Sequence, residues 1–386
     1  MKVGRDQLIC EDGSATRRYA SIASCMETLG PAAEVANSKA VRWGLAEAWR
    51  ACGAFEWVTL AYVGWMLALL CVLHGNIAHA ERYFAIHGAI AIGIVMLTWI
   101  GARSRNAGVQ FARHWYPLPL YIFFFEELQG LVHAIFPGWF DRWLIQFDYN
   151  FAGVHPAVWL GKFATPALNE FMQFSYMIYF LLLVMLPAML YARGKWAAFW
   201  TVMVSTAIAH YSVYVMAVLF PVESPYFALA SLNLAPLGGG AFTATIEFIE
   251  RFGRVHGAAF PSAHVAGSLV AMLAARRYKP WLCWICLPFF LSMCLATVYG
   301  RYHYIADVLA GIVVGAIGWA AGQWIMERKD AQPESAYGRR ETFGVTTTRN
   351  NSPSEYSFSA AEGAEGADVG DAENDEVLVF IADGAE

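Results

Sequence analysis

The chain has 386 residues, 58% of them hydrophobic and 15% charged, with a mean hydropathy of +0.42. That balance excludes an ordinary soluble domain, in which roughly a quarter of residues are charged. A net charge of −5 gives no basis for a nucleic-acid partner.

Residues 1–54 read as a polar N-terminal segment on the cytoplasmic side, with Arg17, Arg18, Lys39, Arg42 and Arg50. No leader is expected, because the first apolar run begins only after Phe55. Residues 55–114 hold two predicted spans, Trp57–Leu73 and Tyr83–Ile100, the second ending at Arg103 and Arg105. Residues 115–326 form the expected membrane core. It opens with a third span, Trp115–Phe136, that carries the adjacent carboxylates Glu126 and Glu127.

Residues 137–166 mix aromatics with Asp141, Arg142, Asp148, His155 and Lys162, the pattern of an amphipathic helix lying at the membrane interface. Two spans follow, Phe171–Tyr191 and Trp196–Phe220, joined by Arg193-Gly194-Lys195. After a glycine-rich loop at Gly238–Gly240, Phe242, Ile246, Ile249 and Phe252 recur at helical spacing and predict a surface helix. The last spans are Val265–Ala275, short for a crossing, then Trp281–Tyr299 and Ile305–Ile325. Residues 327–386 read as a disordered tail, with nine acids and no Lys or Arg between 360 and 386. The expected fold is an all-α polytopic membrane bundle of about eight transmembrane helices with an extracytoplasmic interfacial helix.

Lys and Arg concentrate at Arg103–Arg113, Arg193–Lys195, Arg276–Lys279 and Arg328–Lys329, which predicts that these turns face the cytoplasm. The expected location is an integral membrane, read as the bacterial inner membrane. Of the seven cysteines, Cys71, Cys283, Cys286 and Cys294 fall in apolar runs and read as small buried hydrophobes. The Cys283–Cys286 pair has no second ligand pair nearby, so neither a metal nor another cofactor is expected.

Two polar clusters interrupt the last apolar stretch: Phe260-Pro261-Ser262-Ala263-His264 and Arg301-Tyr302-His303-Tyr304-Ile305-Ala306-Asp307. A chain that enters the membrane after His264, turns at Arg276–Pro280 and returns brings His303 to the side where His264 started. His303 and Asp307 are four apart, so a helix sets them on one face with the carboxylate able to orient the imidazole. The bland alternative is that these are polar residues near span ends, facing water.

The pair Pro-Ser-x-His and His-x-x-x-Asp resembles the lipid phosphate phosphatase superfamily, the type 2 phosphatidic acid phosphatases. The form His-Tyr-x-x-Asp is most similar to its inositol phosphorylceramide synthase branch, and the Phe-Asp…Gly-x-His-Pro pattern within 137–166 resembles the same branch more weakly. The resemblance covers roughly residues 115–326 and implies a phosphohistidine route. In it His303 is the nucleophile, Asp307 orients the ring, and His264 is the general acid. Ser262, the N–H groups that open the helix at His264, and Arg301 would hold phosphate oxygens. Departures are clear: the superfamily's first motif, a Lys and an Arg-Pro, is missing; Ala296 and Thr297 replace the usual Ser-Arg; and Ala263 replaces a glycine. His256, Arg254 and Glu126 are candidate substrate contacts, with Arg251 as a further cation, whereas mid-span His210 reads as a packing residue.

The implied activity moves a phosphoryl-containing headgroup from a phospholipid to a lipid acceptor within the bilayer. The rivals are a lipid phosphate phosphatase that uses water as acceptor, a membrane transporter, and a haem protein.

Overall fold

The computed structural model describes residues 47–232, 237–253 and 255–330. The expected tail beyond residue 330, most of the N-terminal segment and Arg254 lie outside the described residues. Helices dominate for the reason the composition implies: in hydrocarbon, every backbone N–H and C=O must be bonded within its own segment. In order they are α1 (Ala54–Leu73), α2 (Ala80–Arg103), α3 (Ala107–Trp115), α4 (Pro117–Glu126), α5 (Asp141–Ala152), α6 (Pro156–Gly161), α7 (Pro166–Ala192) and α8 (Trp196–Leu219). The short α9 (Pro225–Ala228) then leads to α10 (Ala241–Gly253), α11 (Ala263–Tyr278), α12 (Pro280–Tyr299) and α13 (Ile305–Asp330). There is no β-strand among the described residues, only one isolated parallel bridge between Val222 and Ala258.

Six of these helices, α1, α2, α7, α8, α12 and α13, are long and apolar enough to cross a membrane. The other two expected spans take different forms. Residues 115–136 contain only the 10-residue α4, followed by a 3-10 turn at Glu127–Gly130. The break falls where Glu127 turns to a partner on α2: its Oε1 lies 3.3 Å from His87 Nε2, with both side chains buried. The Val265–Ala275 stretch lies within the 16-residue α11, about 24 Å long against the ~30 Å of hydrocarbon.

α8 is the central post, with 72% of its span buried inside the protein. α1 packs on it through Thr59 Oγ1 and the Tyr211 hydroxyl (3.1 Å) and through stacked Tyr62 and Tyr211 rings. α4 is tied to it at two levels, Tyr121 donating to the Met203 carbonyl (3.0 Å) and Tyr214 to the Tyr121 carbonyl (2.9 Å).

α13 packs against α8 and α11 along a face of Gly311, Gly315, Gly318 and Gly322. A Cβ at Gly311 would stand 2.8 Å from the Ser262 carbonyl oxygen, and one at Gly315 2.6 Å from that of Ala266. Gly318 and Gly322 meet Ala209 and Ser205 of α8 in the same way. Only residues without a side chain allow this approach of two main chains, the device that small residues supply between membrane helices.

The cysteine reading needs one correction. Cys286 is buried, but Cys283 and Cys294 are half-buried and Cys71 is exposed on the outer face of α1. In a membrane helix an apolar neighbourhood in sequence is as much a lipid-facing surface as an interior.

Candidate active site

The hairpin of α11 and α12 brings the two sequence clusters together: the His264 and His303 rings stand 5.9 Å apart in an edge-on arrangement. His264 is the second residue of α11. Ser262 caps that helix, its hydroxyl oxygen accepting the Val265 N–H at 3.4 Å, and it is fully buried. The first-turn N–H groups of Ala263 and His264 have no acceptor within the helix. The Phe260–Pro261 peptide just upstream is cis.

His303 does not share a helical face with Asp307, as the spacing of four suggests. It sits two residues before α13, and Asp307 reaches back across the helix start. Asp307 Oδ2 accepts the Tyr304 N–H at 2.8 Å and lies 3.3 Å from His303 Nδ1. The closer partner of that nitrogen is the Ala259 carbonyl oxygen, at 2.8 Å. A carbonyl only accepts, so Nδ1 carries the hydrogen, and in the neutral ring Nε2 holds the lone pair. Asp307 is fully buried, and its Oδ1 has no hydrogen-bond partner among the described residues.

Two carboxylates from the expected interfacial segment complete the support, a role that nothing in their sequence pattern signals. Asp148 on α5 accepts the N–H groups of Ile305 (2.9 Å) and Ala306 (3.1 Å), so it caps α13 from another helix. Asp141 Oδ1 accepts the Tyr304 hydroxyl at 2.7 Å and its Oδ2 accepts the Glu223 N–H at 2.9 Å. Burial pushes the Asp141 carboxyl up to about 6, against the opposing pull of those two donors. Asp148 is raised as well, again by burial. The loop carrying His303 is therefore clamped on one side by α5. On the other, Val222 pairs with Gly257 and Ala259 through N–H···O bonds of 3.2 and 3.1 Å. That bridge fixes the carbonyl on which His303 rests.

Arg301 adopts a left-handed backbone conformation (φ 65°) and is only 4% exposed. Its carbonyl accepts the Tyr226 N–H at 3.1 Å, and a Cβ on Gly161 would stand 3.4 Å from its guanidinium. Burial lowers the affinity of that guanidinium for its proton. Aromatic rings from α7 wall the His264 side: Tyr179 at 4.4 Å and Tyr176 at 4.6 Å from its ring, with Tyr302 4.5 Å beyond Tyr176. His210 lies behind Tyr179, accepting its hydroxyl hydrogen at 2.8 Å, with Nδ1 on the Thr206 carbonyl. It is held within the packing.

The remaining candidates are more peripheral. His256 stacks edge-on to Phe227 (4.0 Å), its Nε2 is 3.6 Å from Glu223 Oε1, and its N–H donates to Gln129. It joins the clamp through Glu223, whose own N–H Asp141 accepts. Glu126 lies against Gly253 at the end of α10, and Arg251 is exposed on that helix.

Residues 142–321, just under half of the chain, match the family model described as the PAP2 superfamily. No curated protein and no solved structure matches the chain. The family match supports an enzyme of the lipid phosphatase or phosphotransferase type, acting on lipid phosphates at a membrane.

Proposed function

We propose, with the PAP2 match as premise, that this protein moves a phosphoryl-containing headgroup between lipids through a phosphohistidine, in the manner of an inositol phosphorylceramide synthase. The observation that carries this reading is the tethering of His303: Nδ1–H is held by Ala259 and Asp307, which leaves Nε2 as a lone-pair nucleophile 5.9 Å, ring to ring, from a second imidazole. In the first half, Nε2 attacks phosphorus, the bond from phosphorus to the leaving alkoxide breaks, and protonated His264 gives that oxygen its proton. The charge that His303 acquires is balanced by Asp307. In the second half, neutral His264 takes the proton of an acceptor hydroxyl, the resulting oxygen attacks phosphorus, and the N–P bond breaks. Arg301 and the N–H groups opening α11 serve the phosphoryl oxygens. Ser262 contributes as the cap that orients those N–H groups.

The acceptor decides between the two enzymatic readings. The aromatic wall of Tyr176, Tyr179 and Tyr302 supports a lipid acceptor, because it offers an apolar approach to His264. We also infer that the histidine end faces away from the cytoplasm, since Arg193, Lys195, Arg276, Arg277 and Lys279 gather at the other end. The test is purified protein with labelled phospholipids, with and without ceramide or diacylglycerol. Transfer of label to the added lipid supports the proposal. Release of water-soluble phosphate at the same rate whatever acceptor is present identifies a phosphatase instead.

A further inference from the structure

A second site lies at the far end of the same helices. α11 runs from His264 to Tyr278 and α13 from Ile305 past Glu327, so their C-termini stand about 20 and 30 Å from the histidines. Between those ends and the start of α8 is a cavity of about 550 Å³, lined by Lys195, Trp196, Arg277, Tyr278, Gln323 and Glu327 among others. Its charge is out of balance. The lining acid, Glu327, is engaged by Arg277 at 3.2 Å. Lys195, with Arg193 and Lys279 beside it, makes no ion pair among the described residues. Desolvation, then the charges of Arg193 and Lys195, hold the Lys279 ammonium below the usual lysine value, so these three cations crowd one another. Like charges gathered at a cavity mouth are unfavourable unless an anion joins them. The wall at α8 adds to this: Lys195 supplies no side-chain cap and the first turn carries no acid.

We propose that this cavity binds a phosphate-bearing anion, the headgroup of an anionic membrane lipid being the source its position favours. Trp196 and Tyr278 give the acyl-proximal part of such a headgroup an amphipathic rim, Lys195 and Arg277 of the lining meet its phosphate, and Lys279 adds positive charge beside them. Gln323 and the Tyr278 hydroxyl are neutral donors in reach of the glycerol portion. The site is separate from the histidines and takes no part in the transfer. Basic pockets between membrane helices are a recurrent setting for anionic headgroups.

The experiment uses the full chain in phosphatidylcholine nanodiscs containing a minority of phosphatidylglycerol, with retained lipids counted by native mass spectrometry after release. A second arm measures the shift in melting temperature with inorganic phosphate in neutral detergent. Wild type should retain phosphatidylglycerol over phosphatidylcholine. Lys195→Gln/Lys279→Gln should weaken that retention by roughly fivefold per cation removed, whereas Lys195→Arg/Lys279→Arg should keep it. Phosphatidylglycerol held at the histidine site is unaffected by these variants, so the difference reports the cavity alone. If inorganic phosphate raises the melting temperature of wild type but not of the Gln variant, and lipid retention is the same in both, the anion is free phosphate. Equal behaviour of wild type and Gln variant in both arms, or equal losses in the Gln and Arg variants, overturns the proposal.

Discussion

His303 Nδ1 lies closer to the Ala259 carbonyl (2.8 Å) than to the Asp307 carboxylate (3.3 Å). The ring's tautomer is thus held by main chain as well as by the acid. Asp307→Asn should leave the tautomer intact and remove only the charge that balances the imidazolium. We expect turnover to fall about 10²-fold, less than the ~10⁴-fold seen where the acid alone fixes the tautomer. Steady-state rates with a labelled phospholipid check this, and a loss as complete as that of His303→Ala would show that Ala259 does not hold the ring.

The two histidines should separate by substrate. His303→Ala should abolish both turnover and acid-labile, base-stable protein label. With a nitrophenyl phosphate, whose leaving group needs no proton, His264→Ala should still release nitrophenol in a first burst and accumulate the label, because only breakdown of the intermediate then needs His264. Equal losses for both variants with that substrate would refute the division of roles.

Asp148 holds the start of α13 through two N–H groups. Asp148→Ala should cost about 1–2 kcal/mol, seen as a melting temperature several degrees lower in detergent, and should reduce turnover at least tenfold by loosening the His303 loop. A variant that melts and turns over like wild type would remove Asp148 from the site's support.

Asp141 gives a pH signature. Its carboxyl is raised by burial to about 6, so between pH 4 and 6 the folded protein binds a proton that the unfolded chain releases. That contribution to stability is complete below about pH 4 and is lost as pH rises through 6. A displacement of this size is worth on the order of 3 kcal/mol. Wild type should therefore lose melting temperature between about pH 4 and 6 relative to Asp141→Asn, whose profile should be flatter. Parallel profiles would show that Asp141 ionises normally.

Gly315→Ala should destabilise by about 1–3 kcal/mol, because the new methyl meets the Ala266 carbonyl. Gly93→Ala on α2, with nothing within 4 Å, should be neutral or slightly stabilising. Thermal melts of the two variants decide it.

What the sequence made legible was the chemistry carried by side-chain type. His264, His303 and Asp307 stand out because ionisable residues are rare in apolar runs, and the long spans were visible from length alone. Asp141 and Asp148 were not, since in an amphipathic stretch an acid that caps a distant helix looks the same as one facing water. Ala259 acts through its carbonyl, which every residue has. The break after α4 depends on His87 finding Glu127 across forty residues, a pairing that no local pattern encodes.

Where helices meet through side chains, their separation breathes as rotamers interchange. Along Gly311 and Gly315 there are no rotamers to interchange: main chain rests on main chain. The gap between His264, at the head of one helix, and His303, just before the other, is therefore set by a contact with little compliance. Thinning or warming of the surrounding bilayer should act on that gap less than on helices joined through side chains.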